Sequence, residues 1–220
     1  MRFLFSQPNM IVRWLGQQDY LSCWQAMQKF TTERHADTPD EIWLLEHNPV
    51  FTQGQNGKAE HVLTAGVAGD IPIVKTDRGG QITYHGPGQL IVYTLIDLKR
   101  QQLNIREFVT LLENTIIEFL NPYTTQAYAK CKAPGVYVKD TKTAEEEHKI
   151  CSIGLRIRRG CAYHGIAFNV DMDLTPFSQI NPCGFPQLKM TQLAHLGGGS
   201  DILATAQQLF PYLLKRLQVN

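Results

Sequence analysis

The segment ICSIGLRIRRGCAYHGIAFNV, Ile150 to Val170, constrains the fold more than any other part of the chain. Apolar and polar residues alternate on both sides of Arg159 and Gly160, the period of a strand with one buried face, and the glycine at the joint suits a tight turn. The segment therefore reads as a hairpin. A second strand-dense run, QITYHGPGQLIVYTLIDL from Gln81 to Leu98, reads as two strands around His85–Gly88, where one proline and two glycines favour a turn. IPIVKTD, with Ile71, Ile73 and Val74, reads as a further strand running into the loop at Gly79 and Gly80. Glu41–His47 is either a strand or a helix end, stopped by Asn48 and Pro49.

Three segments carry helical spacing. From Asp19 to about Arg34, Leu21, Trp24, Met27 and Phe30 recur every three residues and predict a helix with those side chains on one face. Asn104 with Glu107 forms a capping-box pattern, and Phe108, Leu112, Ile116 and Phe119 then mark a helix of about four turns that ends at Leu120–Asn121. DILATAQQLFPYLLKRL is helical, with Pro211 either kinking one helix or separating two. LTPFSQINPCGFPQL is Pro-rich and irregular. The element order predicts an α+β fold, a mixed or antiparallel sheet with packed helices, rather than a regular βαβ alternation. No linker-rich boundary divides the chain, so residues 1–220 are expected to form a single domain.

Composition removes several function classes. Lys plus Arg is 21 against 20 for Asp plus Glu, so the chain lacks the basic field that non-specific nucleic-acid or anionic-membrane binding requires. The N-terminal apolar stretch is broken by Ser6, Gln7, Pro8 and Asn9 before it reaches signal-peptide length, and no window approaches a membrane span. Five cysteines with no CxxC spacing suggest neither a disulfide framework nor a structural zinc site, and fit a reducing cytoplasm.

Two segments stand out chemically. In RGGQITYHGPGQL, Arg78 to Leu90, adjacent glycines let the backbone approach a ligand closely, with Arg78, Thr83, Tyr84 and His85 beside them. It lacks both the Walker ending and the dinucleotide fingerprint, and a plain β-turn remains the alternative. In INPCG, Cys183 lies in an irregular segment between Pro182 and Gly184, where a catalytic thiol is plausible beside the commoner packing role. A nucleophilic thiol needs a neighbouring cation, for which Lys149 and His85 are candidates. Cys151 would share a strand face with Lys149, yet its neighbours argue for packing, as they do for Cys23, Cys131 and Cys161. His85 and His164 each precede a glycine in strand-like context and could line a pocket, while His35, His47, His61, His148 and His195 read as surface or turn residues. Arg156, Arg158 and Arg159 form either a solvated face or a dock for an acidic partner.

RGGQITYHGPGQLIVY, KICSIGLRIRRGCAYHGIAFNV and INPCG together resemble the lipoyl(octanoyl) transferases, three separated motifs in the family's order, with similarity from about Glu46 to Gly184. The resemblance implies the fold of biotin protein ligases and lipoate ligases, with the ligase-like catalytic region over about 35–220. It also implies transfer of an octanoyl group from octanoyl-acyl carrier protein to a lysine of lipoyl domains, those of 2-oxoacid dehydrogenase E2 subunits and of the glycine cleavage H protein. No ATP, cofactor or metal is expected. In this pattern Cys183 carries the acyl thioester and Lys149 is its acid/base partner. The acyl-binding positions fall on Arg78, Gly79, Gly80, Gln81, Ile82, Thr83, Tyr84 and His85, on Ser152, Ile153 and Gly154, and on Gly165, Ile166 and Ala167. The acidic stretch TKTAEEEH before Lys149 is longer than the family's usual turn and is expected to be a solvated loop.

The implied chemistry agrees with the residues. Exchange between thioesters needs only a thiolate and an oxyanion stabiliser, and attack by an amine needs a base of adjustable pKa, for which Lys is suited. Each buried CH₂ of the acyl chain is worth about 0.8 kcal/mol, so chain length can be read by binding. Competing readings are an ATP-dependent ligase, a non-catalytic binder of acyl groups or lipoyl domains, and a thiol hydrolase with His85 as base.

Overall fold

A computed structural model of the chain describes residues 2–63, 71–139, 146–186 and 188–218. Strands β1 (Arg2–Gln7) and β2 (Met10–Gln18) form an antiparallel hairpin, and after helix α1 (Tyr20–Glu33) strand β3 (Asp40–His47) returns parallel to β2. The short strands β4 (Val50–Gln53), β5 (Ile73–Lys75) and β6 (Ile82–His85) make a separate three-stranded sheet ordered β5-β4-β6. There follow β7 (Gln89–Asp97), α2 (Ile105–Leu120), β8 (Ala127–Ala129), β9 (Gly135–Lys139), β10 (Glu147–Arg158), β11 (Cys161–Asn169), β12 (Lys189–Met190) and α3 (Ile202–Arg216). The large sheet runs β1-β2-β3-β7-β11-β10-β9-β8, with β12 lying parallel to β10. Parallel and antiparallel pairs coexist, so the sheet is mixed and the expected α+β class holds.

Local signals produce local structure where expected. Arg159 and Gly160 take φ of 53° and 86°, the left-handed pair that a two-residue hairpin needs, and Arg158 faces Cys161 across β10 and β11. Asn104 and Glu107 form both halves of the capping box at the start of α2. Asp19 caps α1 by accepting the Ser22 N–H at 2.9 Å. Helix α3 continues through Pro211 as one helix. Among the described residues no helix is long and apolar enough to cross a membrane.

Other expectations change. The buried residues of α1 are Tyr20, Cys23, Met27 and Thr31, while Leu21 is 45% exposed. A spacing of three drifts about 60° per step around a helix of 3.6 residues per turn, so Leu21 and Phe30 end on opposite sides. The strands flanking His85–Gly88 do not pair with each other: the turn carries the chain from the small sheet to the large one, with Gly88 at φ 83° packed against the backbone of Asp171. The N-terminal residues and Val50–Gln53, which carry no clear strand pattern, are strands because partners in each sheet complete their hydrogen bonds. Thr141–Glu145 of the acidic stretch lies outside the described residues; Glu147 opens β10 and is paired with Lys130.

One face of the large sheet packs on α2 and α3 around Leu112, Ile116, Phe119, Phe168 and Leu209. The other packs on α1 through Met27, Leu45, Tyr93 and Tyr163. The small sheet has its own core of Phe51, Ile82, Tyr84 and Phe177. Strand β9 pairs with β10 only as far as Ser152–Gly135, which leaves the rest of that edge of β10 to be met by the Gly79 loop.

Candidate active site

The edge of β10 is where the loop Arg78–Gln81 docks. Gly79 donates its N–H to Leu155 O at 2.8 Å, and a Cβ on Gly154 would stand 3.2 Å from Gly79 O, so glycines on both sides permit the approach. Arg78 holds the loop's shape from within: its guanidinium donates to Gln81 O, Gly79 O, Thr52 O and Thr52 Oγ1 at 2.5–3.1 Å. Between this loop, the small sheet and the β10–β11 hairpin lies a cavity of about 420 Å³, within the range of small-molecule sites. It runs from Tyr20, His85 and Tyr93 to Lys149, with the exposed side chains of Ile105 and Phe185 also on its wall.

All the expected acyl-binding residues line this cavity except Tyr84. Along β6 side chains alternate, so Thr83 and His85 face the cavity while Tyr84 packs into the small sheet's core against Phe51 and Phe177. Gly154 and Gly165 pair directly across β10 and β11, so two adjacent wall positions carry no side chain.

Lys149 also lines the cavity and is only 1% exposed. Its Nζ donates to Pro134 O at 3.0 Å and stands 5.1 Å from the centre of the Tyr137 ring. The main chain of Cys183 lies in the 3₁₀ turn Pro182–Gly184, closed by Phe185 N–H to Pro182 O at 3.1 Å, and its side chain lies outside what is described. Two observations bring this turn to the same region. Gly184, at φ 77°, packs on the side-chain amide of cavity-lining Gln81, and after Phe185 the chain reaches β12, where Met190 pairs with Lys149. The Oε1 of Gln81 is buried with no hydrogen-bond partner among the described residues, a polar atom that sequence reasoning places in the site without assigning it a separate role.

Tyr20, His85 and Tyr93 on the cavity wall belong to an aromatic cluster. Tyr20 stacks on His85, and His47 stands edge-on to both. His47 reads from the sequence as a surface or turn residue, but it is fully buried, hydrogen-bonded to Tyr93 Oη at 2.7 Å and to Gln18 O at 3.1 Å. Burial pushes its pKa down to about 4, so the ring is neutral. His85 is also held neutral by burial, then by His47 and Arg78. Its Nδ1 meets Gln89 Oε1 at 2.7 Å and its Nε2 meets Thr52 Oγ1 at 3.0 Å. The Arg78 donors to Thr52 Oγ1 turn that hydroxyl's proton toward His85, which assigns the Nδ1–H tautomer and engages both ring nitrogens. His164, at φ 62°, reaches Asp77 at 3.0 Å. Asp77 also accepts from Tyr163 Oη, Trp24 Nε1 and Gln28 Nε2 at 2.5, 2.8 and 3.1 Å. Burial alone would raise the Asp77 carboxyl, but the hydrogen bonds from His164, Tyr163 and Gln28 hold it well below the usual carboxylate range.

The other cysteines divide. Cys23 and Cys151 are buried and Cys161 half-buried, whereas Cys131 is exposed rather than packed. A register shift in β10 between Lys149 and Cys151 breaks the alternation that would have put both on one face, so Cys151 joins the core while Lys149 lines the cavity. Arg156, Arg158 and Arg159 do not line the cavity; the last two are exposed at the hairpin tip.

Comparison with known proteins follows the same outline. Residues 19–217 match the model of the lipoyl protein ligase A/B catalytic domain. The chain is 54% identical over 211 residues to an octanoyltransferase of Vibrio vulnificus, covering 96% of this chain and 92% of that protein. It is 55% identical over 198 residues to an octanoyltransferase of Shewanella oneidensis, covering 90% and 87%. In fold it is similar to a bi-partite lipoate protein ligase from Thermoplasma acidophilum, studied with its E2 lipoyl domain (TM-score 0.74, 13% identity, 98% of this chain and 86% of that one). It is also similar to a biotin protein ligase from Aquifex aeolicus in complex with biotin and ATP (TM-score 0.56, 14% identity, 94% and 70%). At those identities the likeness concerns fold, and it agrees with the ligase-type catalytic architecture.

Proposed function

We propose, starting from the fact that this chain belongs to the octanoyltransferase family, that it moves an octanoyl group from a carrier-protein thioester to a lipoyl-domain lysine through an enzyme thioester on Cys183. The observation that carries this reading is Lys149: a lysine almost wholly removed from water, aimed at a backbone carbonyl, on the wall of the cavity that the acyl-binding positions enclose. Burying an ammonium group is costly unless it is paired and hydrogen-bonded, so a lysine in this place points to a use for its charge or its proton.

The Cys183 thiolate attacks the donor thioester carbonyl; a new C–S bond forms, the carrier's C–S bond breaks, and Lys149 hands its proton to the departing thiolate. The acceptor lysine, as a neutral amine, then attacks the acyl-enzyme. Its excess proton passes to Lys149, and Cys183 leaves as thiolate beside the restored ammonium. The first exchange is thioester for thioester and the second forms an amide, so no nucleotide is consumed. Free cysteines suit the reducing cytoplasm, where the carrier and the lipoyl domains of E2 subunits and the glycine cleavage H protein would be met. The hydrolase reading loses support because both His85 nitrogens are engaged, leaving no basic site for water.

The test is intact mass after incubation with octanoyl-acyl carrier protein. An octanoyl adduct labile to hydroxylamine, absent in Cys183→Ser, and discharged by apo lipoyl domain supports the reading. Modification of lipoyl domain by Cys183→Ser at the wild-type rate, or a requirement for ATP, overturns it in favour of a ligase.

A further inference from the structure

The peptide joining Pro134 to Gly135 has a charged side chain on each side of it. Its carbonyl oxygen accepts from Lys149 Nζ at 3.0 Å, and its N–H donates to Glu113 Oε1 at 3.0 Å. No peptide bond among the described residues is cis, so the C=O and N–H point in opposite directions and the two side chains face one another through a single planar amide. Both are deep, Lys149 at 1% and Glu113 at 7% exposed. The contact is close at the backbone as well: a Cβ on Gly135 would lie 2.7 Å from Lys149 Cε.

Glu113 is out of place by packing alone. Its buried companions on α2 include Phe108, Leu112, Ile116 and Phe119, and a carboxyl group among them costs free energy that an apolar residue would not. Burial raises its pKa, while the Gly135 N–H and the charge of Lys149 pull the other way. That cost has a use if the carboxylate is needed by what lies across the peptide.

We propose that Glu113 is a positioning residue that sets the location and charge of Lys149 through the Pro134–Gly135 peptide. The proposal rests on Lys149 being the proton partner of Cys183. A carboxylate on the N–H polarises the amide and concentrates negative charge on its oxygen, which strengthens the hydrogen bond that holds Nζ. The same negative charge favours the ammonium form of Lys149, the form that pairs with a thiolate and protonates the departing carrier thiolate. Among the described residues, the other groups around Lys149 offer less. From β9, Tyr137 presents its ring and gives its hydroxyl proton to Ala133 O. Lys130 lies over that ring and is paired with Glu147. Cys151, farther along β10, has its thiol pushed up by burial and so stays uncharged. β12 contributes Met190, whose main chain pairs with that of Lys149.

The experiment compares the pH dependence of kcat/KM for octanoyl transfer in wild type, Glu113→Gln, Glu113→Ala and Lys149→Ala, with thermal unfolding of each. Glu113→Gln keeps an acceptor for the Gly135 N–H and removes only the charge. Without the carboxylate Lys149 loses its proton more readily, so the basic limb of the Glu113→Gln profile moves to lower pH, by about one unit or less. Glu113→Ala moves it likewise and also lowers the rate, because the peptide loses its partner. A Glu113→Gln profile that superimposes on wild type overturns the proposal, whatever the alanine variant does to rate or folding. If Lys149→Ala retains the wild-type profile, the role of Lys149 itself has failed, and the Glu113 proposal falls with it by a separately identifiable route.

Discussion

Replacing Gly135 by alanine should damage the enzyme in two separable ways. Gly135 has φ 137°, a conformation that L side chains rarely adopt and that costs on the order of 1–3 kcal/mol to impose. An added Cβ would also stand 2.3 Å from Cys151 O in the neighbouring strand and 2.7 Å from Lys149 Cε, distances that cannot persist. Relieving such overpacking costs about 1–3 kcal/mol more. The sum, about 2–6 kcal/mol, corresponds to a fall in Tm of about 4–24 °C for a domain of this size. Two other glycines calibrate the parts. Gly197 has φ 82° but nothing within 4 Å of where an added methyl would stand, so Gly197→Ala reads backbone strain alone, and Gly199 has neither strain nor neighbour. The order of Tm should therefore be Gly199→Ala, then Gly197→Ala, then Gly135→Ala as the lowest. Activity should separate them further, because only Gly135→Ala displaces Lys149, the proposed proton partner of Cys183, and a shift of about 1 Å in such a group can cost about 10²-fold in rate. Single-turnover transfer, measured well below all three Tm values, reads this term. A Gly135→Ala enzyme with the Tm of Gly197→Ala and a wild-type rate would show that the close approach of Gly135 to Lys149 and Cys151 does not constrain the site.

Two other outcomes are expected. Asp77→Asn should lose about 1–3 kcal/mol at pH 7, as four donors lose a charged acceptor. The folded carboxyl is held below its unfolded value, so its stabilisation is full above about pH 4 and is lost as pH falls through the lower folded value. The urea-unfolding gap between Asp77→Asn and wild type must then narrow from pH 7 to pH 3, and an unchanged gap refutes the assignment. In a Cys183→Ser background, a thiol-alkylating reagent at neutral pH should label exposed Cys131 first and leave Cys23 and Cys151 unlabelled until the protein unfolds. Burial pushes the Cys23 thiol up to about 12 and raises Cys151 further, so neither is a thiolate near neutrality. Peptide mapping that finds Cys151 modified in the folded protein would contradict its place in the core.

Much of the site was legible because the chemistry lies in short motifs. The adjacent glycines of Arg78–Gln81 announced close backbone approach, Gly154 and Gly165 entered only through the family resemblance, and all of them line the cavity. Tyr84 went astray since a contiguous motif gives no notice that alternate side chains of a strand face opposite ways. His47 was illegible for a different reason: its burial depends on Tyr93, 46 positions away, and on α1 closing over it. Glu113 carried no signal, since a glutamate in a helix pattern looks like any solvated helix residue until the peptide it touches is known.

The sequence by itself determined what depends on a few adjacent residues: the caps of α1 and α2, and the left-handed Arg159–Gly160 turn, where backbone conformational preference and side-chain hydrogen bonds act within four positions. Only the tertiary structure decided which strands became neighbours. The parallel pairing of β12 with β10 sets Met190 beside Lys149, and the crossing from the small sheet to the large one at Gly88 opens the cavity between them. Such pairings are chosen by burial and backbone hydrogen bonding between segments tens of residues apart, and several pairings satisfy any one strand's local pattern equally well. The partnership of Glu113 with Lys149 is the extreme case, since it exists only where a helix, a loop peptide and a strand converge.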